Sequence, residues 1–187
     1  MLKIIISFFL FSSIGHNNSA GKDSMLTKEM YSVINFFIEN HEVTFLQQKP
    51  LPFLFEEDVK HDQLRELNKF FLKIDSTKLE SLFSDMDYVF MRDQLKIFKK
   101  LKWNSAELTR NVVVLNKKDL RKRTIKSSEE IFNLSVPLFN KELNKAMLFI
   151  IIDFVDSSAG FFYLLSKKDA LWREDLFYPY FIFDFIE

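Results

Sequence analysis

Cysteine is absent from this chain of 187 residues, and histidine, glycine and proline are scarce, at 3, 3 and 4. Without a thiol there is no disulfide framework, no thiolate nucleophile and no Cys-based zinc or iron–sulfur site. The three imidazoles are His16, His41 and His61. No two stand at metal-ligand spacing and none has a nucleophile-elbow context, so neither a metal site nor a Ser-His-Asp arrangement is legible. Each reads as a helix-end or surface residue. The glycines, at 15, 21 and 160, are too dispersed for a phosphate-cradling loop. Charge of one sign is lacking as well. Lys plus Arg equals Asp plus Glu at 26 each, which removes the long-range field that draws nucleic acid or an acidic membrane surface. The expectation is therefore no cofactor, no metal and no nucleic-acid partner.

Hydrophobic content of 48% with 23 Phe residues carries enough apolar volume for a packed core. The length suits one domain, expected over 21–187 behind a leader. That leader is residues 1–20: Lys3, an apolar run at 4–11, then small or polar residues to Ala20. This is the layout of a secretory signal peptide, and the run is shorter than the roughly 20 apolar residues a membrane helix needs. Cleavage is expected after Gly15 or Ala20. With no cysteine to carry a lipid anchor, the product is expected to be soluble, periplasmic or secreted. The alternative for this stretch is a buried N-terminal strand or helix. A second apolar block, 146–165, holds Asp153 and Asp156, which are costly in hydrocarbon. It reads as paired strands rather than a transmembrane segment.

Along the chain, Met30, Ile34, Phe37, Ile38 and His41 form one stripe of a helix over 27–41. A short strand and a loop follow in 43–55, with Pro50 and Pro52. A helix through Leu64, Leu67 and Phe71 covers 58–74. Ser84 with Asp87 three residues on makes a capping box opening another helix, whose face of Met86, Val89, Phe90, Ile97 and Leu101 ends near Trp103 and Asn104. β-branched runs give strands at 112–115 and 131–136, the second ended by Pro137, with a polar excursion at 116–130 between them. Strands follow at 146–155, apolar enough to be covered on both faces, and at 161–166, joined by a turn at 156–160. Residues 167–170 read as a hairpin turn with a returning strand at 171–177. The tail, 178–186, is a last strand after Pro179 or an apolar flap. The fold class is α+β: N-terminal helices packed on a mainly antiparallel C-terminal β-sheet, a meander.

Several of these residues occur in an order that resembles a family of uncharacterised exported proteins of Flavobacteria and related Bacteroidetes. There a Ser-Asp helix containing Gln and ending near Trp precedes a strand, as Ser84, Asp85, Gln94 and Trp103 precede Val112 here. Next comes Ser-x-Pro-[Ile/Val]-Phe, matched by Ser135, Pro137, Leu138 and Phe139, and then a strand opening with Ala, matched by Ala146. A Leu-Leu-x-Lys-Lys hairpin followed by Trp is matched by Leu164, Leu165, Lys167, Lys168 and Trp172. The similarity covers residue 82 onward. This chain departs from the pattern in lacking the cysteines of the turn before Gly160, and in having Ala170-Leu171 where the family has Gly before Trp. The resemblance implies export and an α+β fold, and implies no activity.

Among the carboxylates near the C-terminal strands, Asp153, Asp156, Asp169, Glu174 and Asp175, two could converge as general acid and base. Asp153 and Asp156 are the catalytic candidates, because a carboxylate inside an apolar run needs a partner or a raised pKa. The ordinary reading of Asp153 is a solvent-facing strand position or an ion pair with Lys145 or Arg173. Tyr163 and Trp172, with Tyr178 and Tyr180, are candidates for a sugar- or peptide-binding face, against the ordinary reading as core. Lys117, Lys118, Arg121, Lys122, Arg123 and Lys126 form a basic cluster that reads as a solvated loop. The functional expectation is a non-catalytic exported binding or envelope-associated protein with a protein, peptide or glycan ligand. The alternative is a carboxylate-dependent hydrolase acting on an envelope sugar or peptide.

Overall fold

A computed structural model describes residues 17–52, 82–122 and 129–184. The leader up to residue 16, His16, His61, the helix expected at 58–74, Arg123, Lys126 and the end of the tail lie outside the described residues. What the described residues build is an α+β arrangement: helices toward the N-terminus and a seven-stranded mixed sheet, mainly antiparallel.

Helix α1 spans Asn17–Asn40 and begins ten residues before the expected start at 27. The apolar stripe starts only at Leu26, so periodicity is silent over the polar turns ahead of it. From there Leu26, Met30, Val33, Ile34, Phe37 and Ile38 are buried, and each such side chain stabilises the fold by about 1.5–3 kcal/mol through its removal from water. The helix ends in a Schellman motif. Val43 N–H donates to Ile38 O at 3.2 Å, and Glu42 occupies the left-handed position with a φ of 51°.

Strand β1 (Phe45–Gln47) pairs in parallel with β2 (Val113–Leu115) on one side and β3 (Ile131–Leu134) on the other. The other pairings are antiparallel: β3 with β5 (Lys145–Asp153), β4 (Leu138–Phe139) with β5, β5 with β6 (Ser157–Lys168), and β6 with β7 (Leu171–Asp184). The last three strands in sequence form the expected meander. Two connections differ from the sequence reading. The turn between β5 and β6 is at 154–156, because Ser157, Ser158, Ala159 and Gly160 already pair with neighbouring strands. The tail continues β7 through Pro179 as one strand. The hairpin turn does fall at Asp169-Ala170, both residues with positive φ, 53° and 64°, a backbone suited to a two-residue loop.

Register divides the sheet into two faces, since side chains alternate. Phe132, Ile150, Leu148, Tyr163, Leu165 and Lys167 share the face on which α1 lies, as ring contacts from Phe37 to Phe132 (6.2 Å) and to Tyr163 (5.3 Å) show. Lys167 anchors the helix there through both carboxylate oxygens of Glu29, each at 2.8 Å. Asn133, Phe149, Asp153, Ser158 and Phe162 share the opposite face.

Helix α2 spans Asp85–Phe98 and opens on the expected capping box, with Ser84 and Asp87 bonded in both directions. It stops five residues before Trp103. The apolar pattern persists to Leu101 and Trp103 because both pack from an irregular segment, with Trp103 N–H donating to Gln48 O at 2.9 Å. Gln94, fully buried, holds α2 to β4: its Nε2 donates to Phe139 O at 2.8 Å and its Oε1 accepts from Phe139 N–H at 2.9 Å. The excursion after β2 contains a short exposed helix, α3 (Lys117–Lys122), carrying Lys117, Lys118, Arg121 and Lys122. Among the described residues no helix is long and apolar enough to cross a membrane.

Candidate functional site

Asp153 lies on the sheet face away from α1, where its Oδ2 accepts from Asn133 Nδ2 at 2.8 Å and its Oδ1 from Ser158 Oγ at 2.6 Å. Both carboxylate oxygens are engaged, and the partners are these two neutral side chains, not Lys145 or Arg173. Lys145 sits at the other end of β5 and donates to Leu82 O at 2.9 Å, while Arg173 pairs in register with Ser166. Asp156 is exposed in the turn. Asp175 accepts from Ser166 Oγ at 2.8 Å on that same far face, and Asp169 is in the hairpin turn.

Tyr163 and Trp172 are buried, at 5% and 4% exposure. Trp172 packs against Phe139 with Lys167 Nζ over its ring, 5.6 Å from the centroid. Tyr163 leads from core to surface. Its ring meets Phe37 on the inner side and His41 and Phe177 on the outer, with centroids at 5.6 and 5.1 Å for the last two. Burial and then the nearby Glu174 charge hold its hydroxyl well above the ordinary tyrosine range, so it stays protonated.

His41 is the centre of this end of the molecule. The imidazole stacks on Phe37 (4.1 Å between centroids) and its Nε2 lies 2.6 Å from Glu174 Oε1. Asp175 is the extra residue of a β-bulge, because Leu165 pairs with Glu174 while Leu164 pairs with Leu176. The bulge sets Glu174 toward the helix end while keeping Phe177 beside Tyr163, the kind of re-aiming that bulges perform. Phe177, 49% exposed, stacks on Phe161 with centroids 5.3 Å apart.

Beside His41, where α1 ends and the parallel strands β1 and β3 begin, opens a cleft of about 410 Å³. His41, Glu42 and Thr44 form one wall, Phe45 and Phe132 the apolar part, and Glu129 and Glu130 the side ahead of β3. Glu42 and Glu130 are exposed and Glu129 is half-buried. The described lining therefore has three carboxylates and no lysine or arginine. Among the described residues no group of three or more His, Cys, Asp or Glu side chains is placed to hold a metal ion. Sequence reasoning singled out Glu174 only as one carboxylate of five and His41 only as a helix-end residue. Nothing in the sequence signals that positions 133 residues apart meet.

The chain matches no protein-family model, no curated protein and no solved structure.

Proposed function

We propose that this is an exported binding protein without catalytic chemistry of its own, and that its ligand enters the cleft beside His41. The observation that carries the reading is the cleft's make-up. It joins apolar walls from Phe45 and Phe132 to polar groups from His41, Thr44 and three glutamates, and adjoins the exposed Phe177 ring through the His41–Glu174 pair. Concave sites with apolar walls and a few convergent polar groups are where small ligands and side chains bind. The competing hydrolase reading needs two carboxylates converging on one reacting bond, whereas Asp153 is tied to Asn133 and Ser158 on the other face of the sheet.

Export is part of the proposal and rests on the leader-like residues 1–20 and on the family resemblance from residue 82 onward. Cleavage after Gly15 is the preferred site, because removal of Ala20 and the residues before it would cut away the first turn of α1. Expression of the full chain in a related bacterium, fractionation and mass spectrometry of the mature N-terminus test this. A product beginning at His16 or Gly21 in periplasm or medium supports export, and an intact Met1 in the cytoplasm contradicts it. Binding is tested by thermal-shift screening of the purified protein against libraries of envelope peptides and oligosaccharides, with hydrolysis of the same compounds followed by mass spectrometry. Stabilisation without turnover supports the proposal. Turnover abolished by Asp153→Ala would establish the hydrolase instead.

A further inference from the structure

We infer that the protein docks by one rim of its sheet onto an anionic phospholipid surface, with Leu171 entering the interface. The chain's charges sum to zero, but the topology sorts them between the two rims. Strands β1, β2, β3 and β6 all run the same way, because β3 and β6 are both antiparallel to β5. The rim where they end collects Lys49 after β1, Lys117 and Lys118 after β2, Lys141 in the turn from β4 to β5 and Lys168 at the end of β6. Lys102 joins them, since Trp103 N–H donates to Gln48 O at 2.9 Å and Gln48 N–H to Leu115 O at 2.8 Å. All of these lysines are exposed. Lys141 has the Asp87 carboxylate nearby, while the ion pairs of the described residues, His41–Glu174, Lys96–Asp93 and Lys167–Glu29, include none of the others. The acidic neighbours at this rim are Asp119, Glu142 and Asp169, and the first two already accept from Asn116 N–H and Asn140 Nδ2. The opposite rim, where the same strands begin, carries Glu42, Glu129, Glu130 and Asp156 instead.

An independent observation at the same rim points to lipid. Leu171, 65% exposed, is the most exposed large apolar side chain among the described residues, and it pairs in register with Lys168 across the hairpin turn. A bare leucine among lysines suits a bilayer interface, where apolar insertion adds to attraction by anionic headgroups. Against a phosphate backbone in water that leucine has no role. Lysine is a compact point charge that fits the diffuse charge of a headgroup layer, whereas discrete phosphate recognition favours the arginine fork. Trp103 and Trp172, the chain's two indoles, are buried, so neither offers a face to a base or a sugar. Docked by this rim, the sheet stands end-on and the His41 cleft, at the opposite rim, opens away from the bilayer. The docking rim and the cleft share no residue, so either function can be lost without the other.

The test is co-sedimentation of the mature chain with vesicles of phosphatidylcholine, alone or with about 30% phosphatidylglycerol. The expected result is binding at least about tenfold stronger to the anionic vesicles, falling as NaCl is raised from about 50 to about 300 mM. Each lysine near such a surface contributes about fivefold. Lys118→Glu, after β2, should therefore weaken binding about fivefold or more, and Arg110→Glu, ahead of the same strand, less than about twofold. The triple variant Lys49→Glu, Lys102→Glu, Lys118→Glu should lose at least about fiftyfold, and Leu171→Ser about threefold, each with an unchanged melting temperature. Equal binding to the two vesicles, equal effects of Lys118→Glu and Arg110→Glu, or binding unmoved by Leu171→Ser each overturns the docking. Tighter binding to double-stranded DNA than to the anionic vesicles assigns the rim to nucleic acid instead. Binding to neither vesicle also overturns it, and leaves the cleft to be decided by the library screen.

Discussion

The two ends of the sheet handle polar groups in opposite ways. Where α2 meets β4, polar side chains satisfy backbone: Gln94 serves both the N–H and the carbonyl of Phe139, and Asp87 accepts from Ser84 N–H, Ser84 Oγ and Lys141 N–H. Asn140 does the same for the turn that follows, accepting from the N–H groups of Asn144 and Lys145. Where α1 meets β7, the groups that meet are two side chains, His41 and Glu174, each about 30% exposed, beside glutamates that face a cleft. The first end closes backbone groups of a short strand, a turn and a helix start. Each end holds a non-glycine residue at positive φ, Leu143 at the first and Glu42 at the second, and the second leaves Phe177 49% exposed beside the His41–Glu174 pair.

Substitutions at the two ends should therefore separate stability from binding. Gln94→Ala strands a buried N–H and a buried carbonyl at once, and urea unfolding should show a loss of about 3 kcal/mol. Asp87→Ala should cost about 2 kcal/mol by removing the helix cap together with the Lys141 bond. Asp87 also fixes a pH dependence. Burial raises its pKa, but the Lys141 and Ser84 hydrogen bonds outweigh that and hold the carboxyl below its ordinary 3.8. A lowered folded pKa means that this contribution is complete above the unfolded value and is lost as pH falls through the folded one. Acid titration of stability should thus be shallower below about pH 4 in Asp87→Asn than in the wild type.

At the other end, Glu42→Gly should raise stability by about 1 kcal/mol by relieving the left-handed backbone. Ala170→Gly, in the hairpin turn at φ 64°, should gain about 0.5–1 kcal/mol for the same reason without touching binding. Smallest of all, Glu174→Gln should change stability by less than about 1 kcal/mol, since the pair is part-exposed and screened. A large loss there would mean that the His41–Glu174 contact is a structural clamp like Gln94, and the contrast between the ends would fail.

Much of the scaffold was legible because local signals and tertiary demands agree. The Ser84–Asp87 spacing marks α2, β-branched runs mark β2 and β3, and the 167–170 segment marks the hairpin. Boundaries slipped where one signal served two purposes. Ser157 to Gly160 have turn composition, yet their small side chains lie within a paired strand. Leu101 and Trp103 keep a helical rhythm from outside the helix. The site was far less legible. Asp153 drew attention as a carboxylate in an apolar run, but its partners, Asn133 and Ser158, are neutral residues brought in by register rather than the charged ones that sequence offers. His41 and Glu174 are each unremarkable in their local context, and only the crossing of α1 over β6 and β7 joins them. A clue did exist for Gln94, a polar residue between Met91 and Phe98 on an otherwise apolar stripe, which a reading by apolar periodicity passes over.

The most direct measurement is a backbone-amide NMR titration of the mature protein with the envelope peptide or oligosaccharide that stabilises it most in the thermal-shift screen. Shift changes concentrated at 41–45, 129–132, 161–163 and 174–178, with Lys141, Phe139 and Gln94 unmoved, are the expected result. Changes centred on Asp87, Phe139 and Asn140, or on Asn133, Asp153 and Ser158, would contradict the assignment of function to the His41 end.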